Sequence, residues 1–248
     1  MSGSDVMTRI AVGLEQGRDG GLMAHALTLP GCAGVGATPE AALAAFERSL
    51  MGWLRFLAAA GERVPPADAE LEVAVDEWVE SDAAVLSGET AVLFADDLRP
   101  LAQDEAEEGV RRIGDLRGRM LARVRRRRDV NLDVPAAPGV TVRQVLEELA
   151  RAQWWTLSRL GASPMAGVTD HTLARLDTAA ALVVDRMTSL TDDQRSLRLE
   201  LDGEAWTARK VLRRLLWLEW TLGGMALTGL IAAEQAAETA DPGHGGDT

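Results

Sequence analysis

The hydrophobic period of this chain changes once, and that change limits the folds open to it. Between residues 8 and 80 apolar side chains alternate in short runs around a single helical stretch. Beyond residue 100 they recur every three or four positions in long segments. Alternation marks strands with one covered face, and the longer period marks amphipathic helices. The chain is therefore read as α+β, with a small α/β part followed by a helical part.

Thr8–Leu14 (TRIAVGL) is short, β-branched and alternating, and reads as a strand. Gly17-Arg18-Asp19-Gly20-Gly21 is a turn, and Leu22–Leu29 (LMAHALTL) returns as the second arm of a hairpin. Ala33–Ala37 gives a third short strand. Thr38-Pro39-Glu40 then opens a helix: threonine caps free N–H groups, proline suits the first turn, and the acid faces the positive end of the dipole. Leu43, Phe46, Leu50, Trp53, Leu54 and Leu57 place one apolar stripe on this helix, which Gly61 ends. Leu71–Val79 alternates as a last strand, so the order is β-β-β-α-β over residues 1–82. Residues 83–100 show no period and are expected as a linker.

Residues 101–238 read as four helices: 101–127, 141–160, 170–190 and 205–238, with a brief strand at Leu197–Leu201. Four long helices in sequence predict an antiparallel bundle. The tail, 239–248, is polar and glycine-rich and is expected to be disordered.

Charge and composition exclude several functions. The net charge is −12, which disfavours general nucleic-acid binding. Nine arginines stand against Asp115 between residues 111 and 128, but they have no interleaved aromatics. They are expected as a cation cluster at a helix end, paired to acidic neighbours. The longest apolar stretch, Leu212–Ala233, is broken by Arg213, Arg214 and Glu219, so no membrane span is expected. Met1–Thr8 is polar and acidic, unlike a signal peptide, and cytoplasm is the expected location. The single cysteine, Cys32, forms no internal disulfide and is expected to be buried.

Two resemblances cover most of the chain. LTLPGC (Leu27–Cys32), GATPEAALAAFERSL (Gly36–Leu50) and GERVPP (Gly61–Pro66) resemble HicB-like antitoxin-type domains. That likeness implies a partial ribonuclease-H-like fold with no known catalytic centre, used to contact a protein partner. TVRQVLEELARAQWWTLSRLG (Thr141–Gly161) and GEAWTARKVLRRLLWLEWTLGG (Gly203–Gly224) resemble DinB-like four-helix bundles. Enzymes of that family hold a divalent metal through three histidines, one on the second helix and two, four apart, on the fourth. The matching positions here are Glu148, Leu218 and Leu222. Leucine offers a metal no lone pair, and one carboxylate cannot hold zinc or nickel alone. The chain's three histidines are His25, His171 and His244. No metal and no cofactor is expected.

The remaining candidates form a possible bundle pocket: Glu148, Trp154, Trp155, Arg209, Arg214, Leu218 and Leu222. Glu148 facing the interior needs a cationic partner, for which Arg214 or Arg209 is expected. The tryptophan pair is expected in core or interface packing, and His171 at the surface or at a helix cap. A homodimer is expected through apolar helix faces carrying Trp217, Trp220, Leu227 and Leu230. Three functions follow in order: a non-catalytic interaction protein, a metal-dependent thiol transferase, and an antitoxin-type regulator. A protein partner for the N-terminal module is expected, and neither nucleic acid nor membrane.

Overall fold

The computed structural model describes residues 7–66, 68–126, 131–161 and 171–240, with side chains through residue 236. Its class is mixed α+β, with six α-helices and one four-stranded sheet beside two small hairpins among the described residues. The chain divides into two compact units. One comprises residues 1–102 with 190–217; the other comprises 103–189 with 218–248.

In the first unit β1 (Thr8–Gln16), β2 (Leu22–Ala26), β3 (Ala33–Gly36) and β4 (Leu71–Glu80) form a sheet in the order β3-β2-β1-β4. β1 is antiparallel to β2 and parallel to β4. Helix α1 (Pro39–Ala59) packs on β3 and β2. Thr38 Oγ1 accepts the Ala41 N–H at 3.2 Å, so the Thr38-Pro39-Glu40 start is observed. The buried face of α1 is Ala42, Phe46, Leu50, Trp53, Leu54, Phe56 and Leu57. The fit is close: a Cβ on Gly34 would lie 2.0 Å from the Phe46 nitrogen, so only glycine lets β3 approach the helix backbone. All five residues of β2 are buried, because both faces of that strand are covered.

Residues 83–100, expected as a linker, are built into this unit as a second covering layer. They form two 3-10 turns, Val85–Ser87 and Ala95–Leu98, and bury Val85, Val92 and Phe94; Leu101, just beyond them, is buried too. Met23, Ala83 and Val85 make a small core with Ala33, Ala91 and Trp217 against it. Residues 190–217, expected within the helical part, also pack here. They comprise α5 (Asp192–Ser196), the hairpin β7 (Arg198–Leu201) and β8 (Glu204–Thr207), and the start of α6 (Ala208–Ala240). The division therefore does not follow the expected boundaries at residues 82 and 100, since nonlocal apolar contacts recruit both segments.

The second unit holds α2 (Gln103–Arg126), α3 (Val142–Ser158), α4 (Thr172–Thr188) and α6 from Leu218 onward. A small hairpin, β5 (Pro135–Ala137) with β6 (Val140–Thr141), precedes α3. Thr141 caps α3 in a reciprocal box with Gln144. Acids Asp104 and Glu105 open α2, and Arg123, Arg125 and Arg126 close it, matching the dipole at both ends. His171 stands at the N-cap of α4 and is exposed. The tail beyond residue 240 lies outside the described residues.

Helix α6 is long and apolar enough to cross a membrane over Ala208–Ala236, with 44% of that window buried in the protein. Lys210, Arg213 and Glu219 are buried on it and each is bonded to protein partners. That is the environment of a core helix.

Candidate functional site

Buried ionisable side chains are costly unless bonded, so clusters of them are the first places to look for chemistry. Among the described residues, one such cluster stands in each unit.

In the first unit Glu15 sits on the face of β1 opposite Ile10, Val12 and Leu14, where alternation would leave it in water. Instead the 83–97 segment covers it completely. Its carboxylate accepts from Ser81 Oγ at 2.7 Å, Thr90 Oγ1 at 2.5 Å, the backbone of Ala91 at 2.8 Å and Val92 at 3.1 Å, and His25 Nε2 at 3.1 Å. Burial alone would raise its pKa, but the His25 bond and the other donors outweigh burial and hold it down at about 2.

His25, on β2, is also buried. Its Nδ1 lies 3.3 Å from Arg213 Nη1. A guanidinium only donates, so Nδ1 is the accepting nitrogen and Nε2 carries the proton given to Glu15. Burial pulls the His25 pKa below 6.5, Glu15 opposes that shift, and Arg213 adds to it. Arg213 in turn forks onto Asp97, with Nε to Oδ1 at 3.0 Å and Nη2 to Oδ2 at 2.7 Å, and donates to the Val92 carbonyl at 3.2 Å. The Phe94 ring meets His25 edge-on at 5.4 Å and lies 5.1 Å from the Arg213 guanidinium. A Cβ on Gly13 would meet that ring at 2.4 Å, so glycine makes room for it.

Nearby, Lys210 is 2% exposed. Its ammonium donates to Ala91 O, Ala205 O and Glu204 Oε1 at 2.7–2.8 Å, which uses all three protons. It also stands 4.4 Å from the centre of the Trp206 ring. Burial lowers its pKa, and Glu204 opposes that.

This arrangement does not make an acid–base catalyst. Both nitrogens of His25 are committed to protein partners. Ser81, Glu15 and His25 run in an order that leaves the imidazole away from the hydroxyl, whereas nucleophile activation needs it in between. An open hollow of about 380 Å³ lies beside the cluster, lined by Gln16, Gly17, Arg18, Glu80, Ser81 and Asp82. Of its lining, Ser81 donates a hydrogen bond to Glu15.

In the second unit the cluster is Arg117, Gln153 and Glu219, which are 4%, 0% and 1% exposed. Arg117 Nε and Nη2 fork onto Glu219 at 2.9 and 2.7 Å. Nη2 also reaches Gln153 Oε1 at 2.9 Å, and Nη1 reaches the Leu176 carbonyl at 2.8 Å. Gln153 Nε2 donates to Glu219 at 2.8 Å. One guanidinium from α2 thus bonds to α3, α4 and α6.

The seven residues anticipated as a pocket are divided between the two units, with four of them in the same unit as Glu148. That residue is half-buried and forks with Arg151 of its own helix at 2.6 and 2.9 Å. Arg209 and Arg214 belong to the first unit instead. Arg209 donates to the Arg99 and Pro100 carbonyls, and Arg214 to the Thr90 carbonyl at 2.7 Å. Trp154 and Trp155 are half-buried, with Arg159 stacked 4.6 Å over Trp155. Leu218 is buried and Leu222 half-buried. Among the described residues no three His, Cys, Asp or Glu side chains converge as a metal site. Arg123 pairs with Glu234, and Arg125 lies 3.9 Å from Asp177, so acids of the same unit meet this end of α2. Cys32 is buried and free, its thiol pushed up to about 12 by burial. Of the expected dimer residues, Leu230 is buried and Trp217 packs against the Met23 core, while Trp220 and Leu227 are half-exposed.

Comparison of the chain with protein-family models, curated proteins and solved structures finds no match.

Proposed function

We propose that this chain is a non-catalytic interaction protein of the cytoplasm: a HicB-like contact module joined to a DinB-like antiparallel four-helix scaffold whose metal site has been given up. The observation that carries the reading is the Arg117 cluster. The core of the helical unit carries a cation of its own, Arg117, bonded to Glu219, Gln153 and the Leu176 carbonyl, while the positions that match the family's ligands hold Glu148, Leu218 and Leu222. Glu219 already accepts three hydrogen bonds from Arg117 and Gln153, and the guanidinium balances its charge. The β-β-β-α-β order and the motifs around Pro30 and Pro39 support the HicB-like half. Association into a homodimer is part of the proposal, and light scattering should return twice the 26.5 kDa of one chain.

The test is a thiol-transfer assay on the full chain, loaded with zinc or nickel and supplied with a low-molecular-weight thiol and an electrophile. The reading predicts no rate above the uncatalysed background. A rate abolished by a chelator would restore the transferase reading.

A further inference from the structure

The longest strand of the sheet is also its least covered. β4 spans ten residues at the sheet edge, pairs only with β1, and has no buried residue. Ladder bonds run from the Thr8 N–H to the Glu70 carbonyl at 2.9 Å and from the Ser81 N–H to the Gln16 carbonyl at 2.8 Å. Alternate residues of a strand turn their amides to opposite sides. Counting from those two bonds, Leu71, Val73, Trp78 and Glu80 present N–H and C=O groups to the free edge, and the register shift near Asp76 separates the two sets. An edge of this length is a template for another strand.

The side chains determine which strand it accepts. β4 carries Glu72, Asp76, Glu77 and Glu80 and no base. Arg9 holds Asp76, and the Ala95 N–H holds Glu77. Glu72 and Glu80 are exposed; Glu72 adds its charge to that of Asp76 on Arg9, and Glu80 lies at the far end of the strand. Pairing two copies along this edge would oppose carboxylate to carboxylate, which disfavours a second copy. A strand with cations at alternate positions meets complementary charge. Val75 and Trp78, 42% and 49% exposed, offer apolar surface to its intervening side chains.

Resting on the interaction-protein reading, we infer that the free edge of β4 docks an extended, basic segment of a partner protein by strand addition. The probe is a peptide alternating lysine and valine, matched to the ten residues of β4. Its control alternates lysine and proline, with equal charge but without the alternate amide donors a strand needs. Each is titrated into the full chain labelled with nitrogen-15.

The lysine–valine peptide should shift the β4 amides and slow exchange at 71, 73, 78 and 80. The lysine–proline peptide should do neither. Glu72→Lys with Glu80→Lys should weaken the first peptide by roughly tenfold. Equal effects from both peptides would reduce the interaction to charge alone and overturn strand addition. Absence of any shift overturns the inference too. Shifts confined to other residues of the first unit and unchanged in the variant would overturn the edge site, yet leave the interaction-protein reading standing. That reading falls separately, on chelator-sensitive thiol transfer.

Discussion

The two units solve the same problem with opposite charge. Each must hold a stretch of the apolar helix α6, and each does so through one buried ionic cluster. In the first unit α6 supplies the cation, Arg213, and the acceptors come from the sheet and its covering segment: Asp97, His25 and the Val92 carbonyl. In the second unit α6 supplies the carboxylate, Glu219, and α2 supplies the guanidinium. The first cluster contains an imidazole and the second does not. A buried ion pair fixes register more reliably than it adds stability, because desolvation offsets the attraction. Two pairs of opposite sense, at Arg213 and Glu219, therefore give α6 only one way to dock each stretch.

The largest test breaks the second cluster. Arg117→Met leaves Glu219 and Gln153 buried without their partner and should cost about 3–5 kcal/mol in denaturant unfolding. Replacing Arg117, Gln153 and Glu219 together with Met, Leu and Leu should recover most of that loss. If the triple variant is as unstable as the single one, the cluster contributes more than register.

Acid should act through the first cluster. Glu15 and His25 both hold fewer protons folded than unfolded, so their contributions grow as pH rises. The His25 contribution is complete above about 6.5 and is lost as pH falls below it. The Glu15 contribution is complete above its ordinary 4.5 and disappears toward about 2, which amounts to about 3 kcal/mol. His25→Gln should flatten the upper window of a stability-versus-pH curve and shrink the lower one, because His25 is foremost among the groups that lower Glu15. An unchanged upper window would place the titration elsewhere.

Smaller effects mark the periphery. Thr38→Ala removes the α1 cap and should cost about 1 kcal/mol, read as a shift in the unfolding midpoint. Glu148→Ala removes only an exposed pair with Arg151 and should cost less than about 0.5 kcal/mol. A loss several times larger would return Glu148 to the interior position expected from sequence.

Much of the element order was legible because it is written in local signals. Alternation marks β1 and β2, Thr38-Pro39-Glu40 opens α1, and Thr141 caps α3. Residues 83–102 were not legible, since Val85, Val92, Phe94 and Leu101 share no period and are placed by nonlocal burial. The same holds for residues 190–207, whose short hairpin precedes α6.

The sites were missed for a related reason. Gln153 continues the buried stripe Leu146, Leu149, Ala150, Leu157, and Glu219 continues Leu212, Leu215, Leu216, Ala226. Arg117 likewise falls between Ile113 and Met120. A polar residue on an apolar stripe signals a buried partner. Glu148 drew attention because a family motif pointed to it, although the apolar stripe of α3 did not include it.

The central claim of the proposed function is that the helical unit holds Arg117 as an internal cation and binds no metal. Elemental analysis of the purified full chain, before and after exposure to zinc and nickel, tests it most directly. The account predicts no retained metal after desalting. About one equivalent per chain would contradict it and bring the metal-dependent reading back.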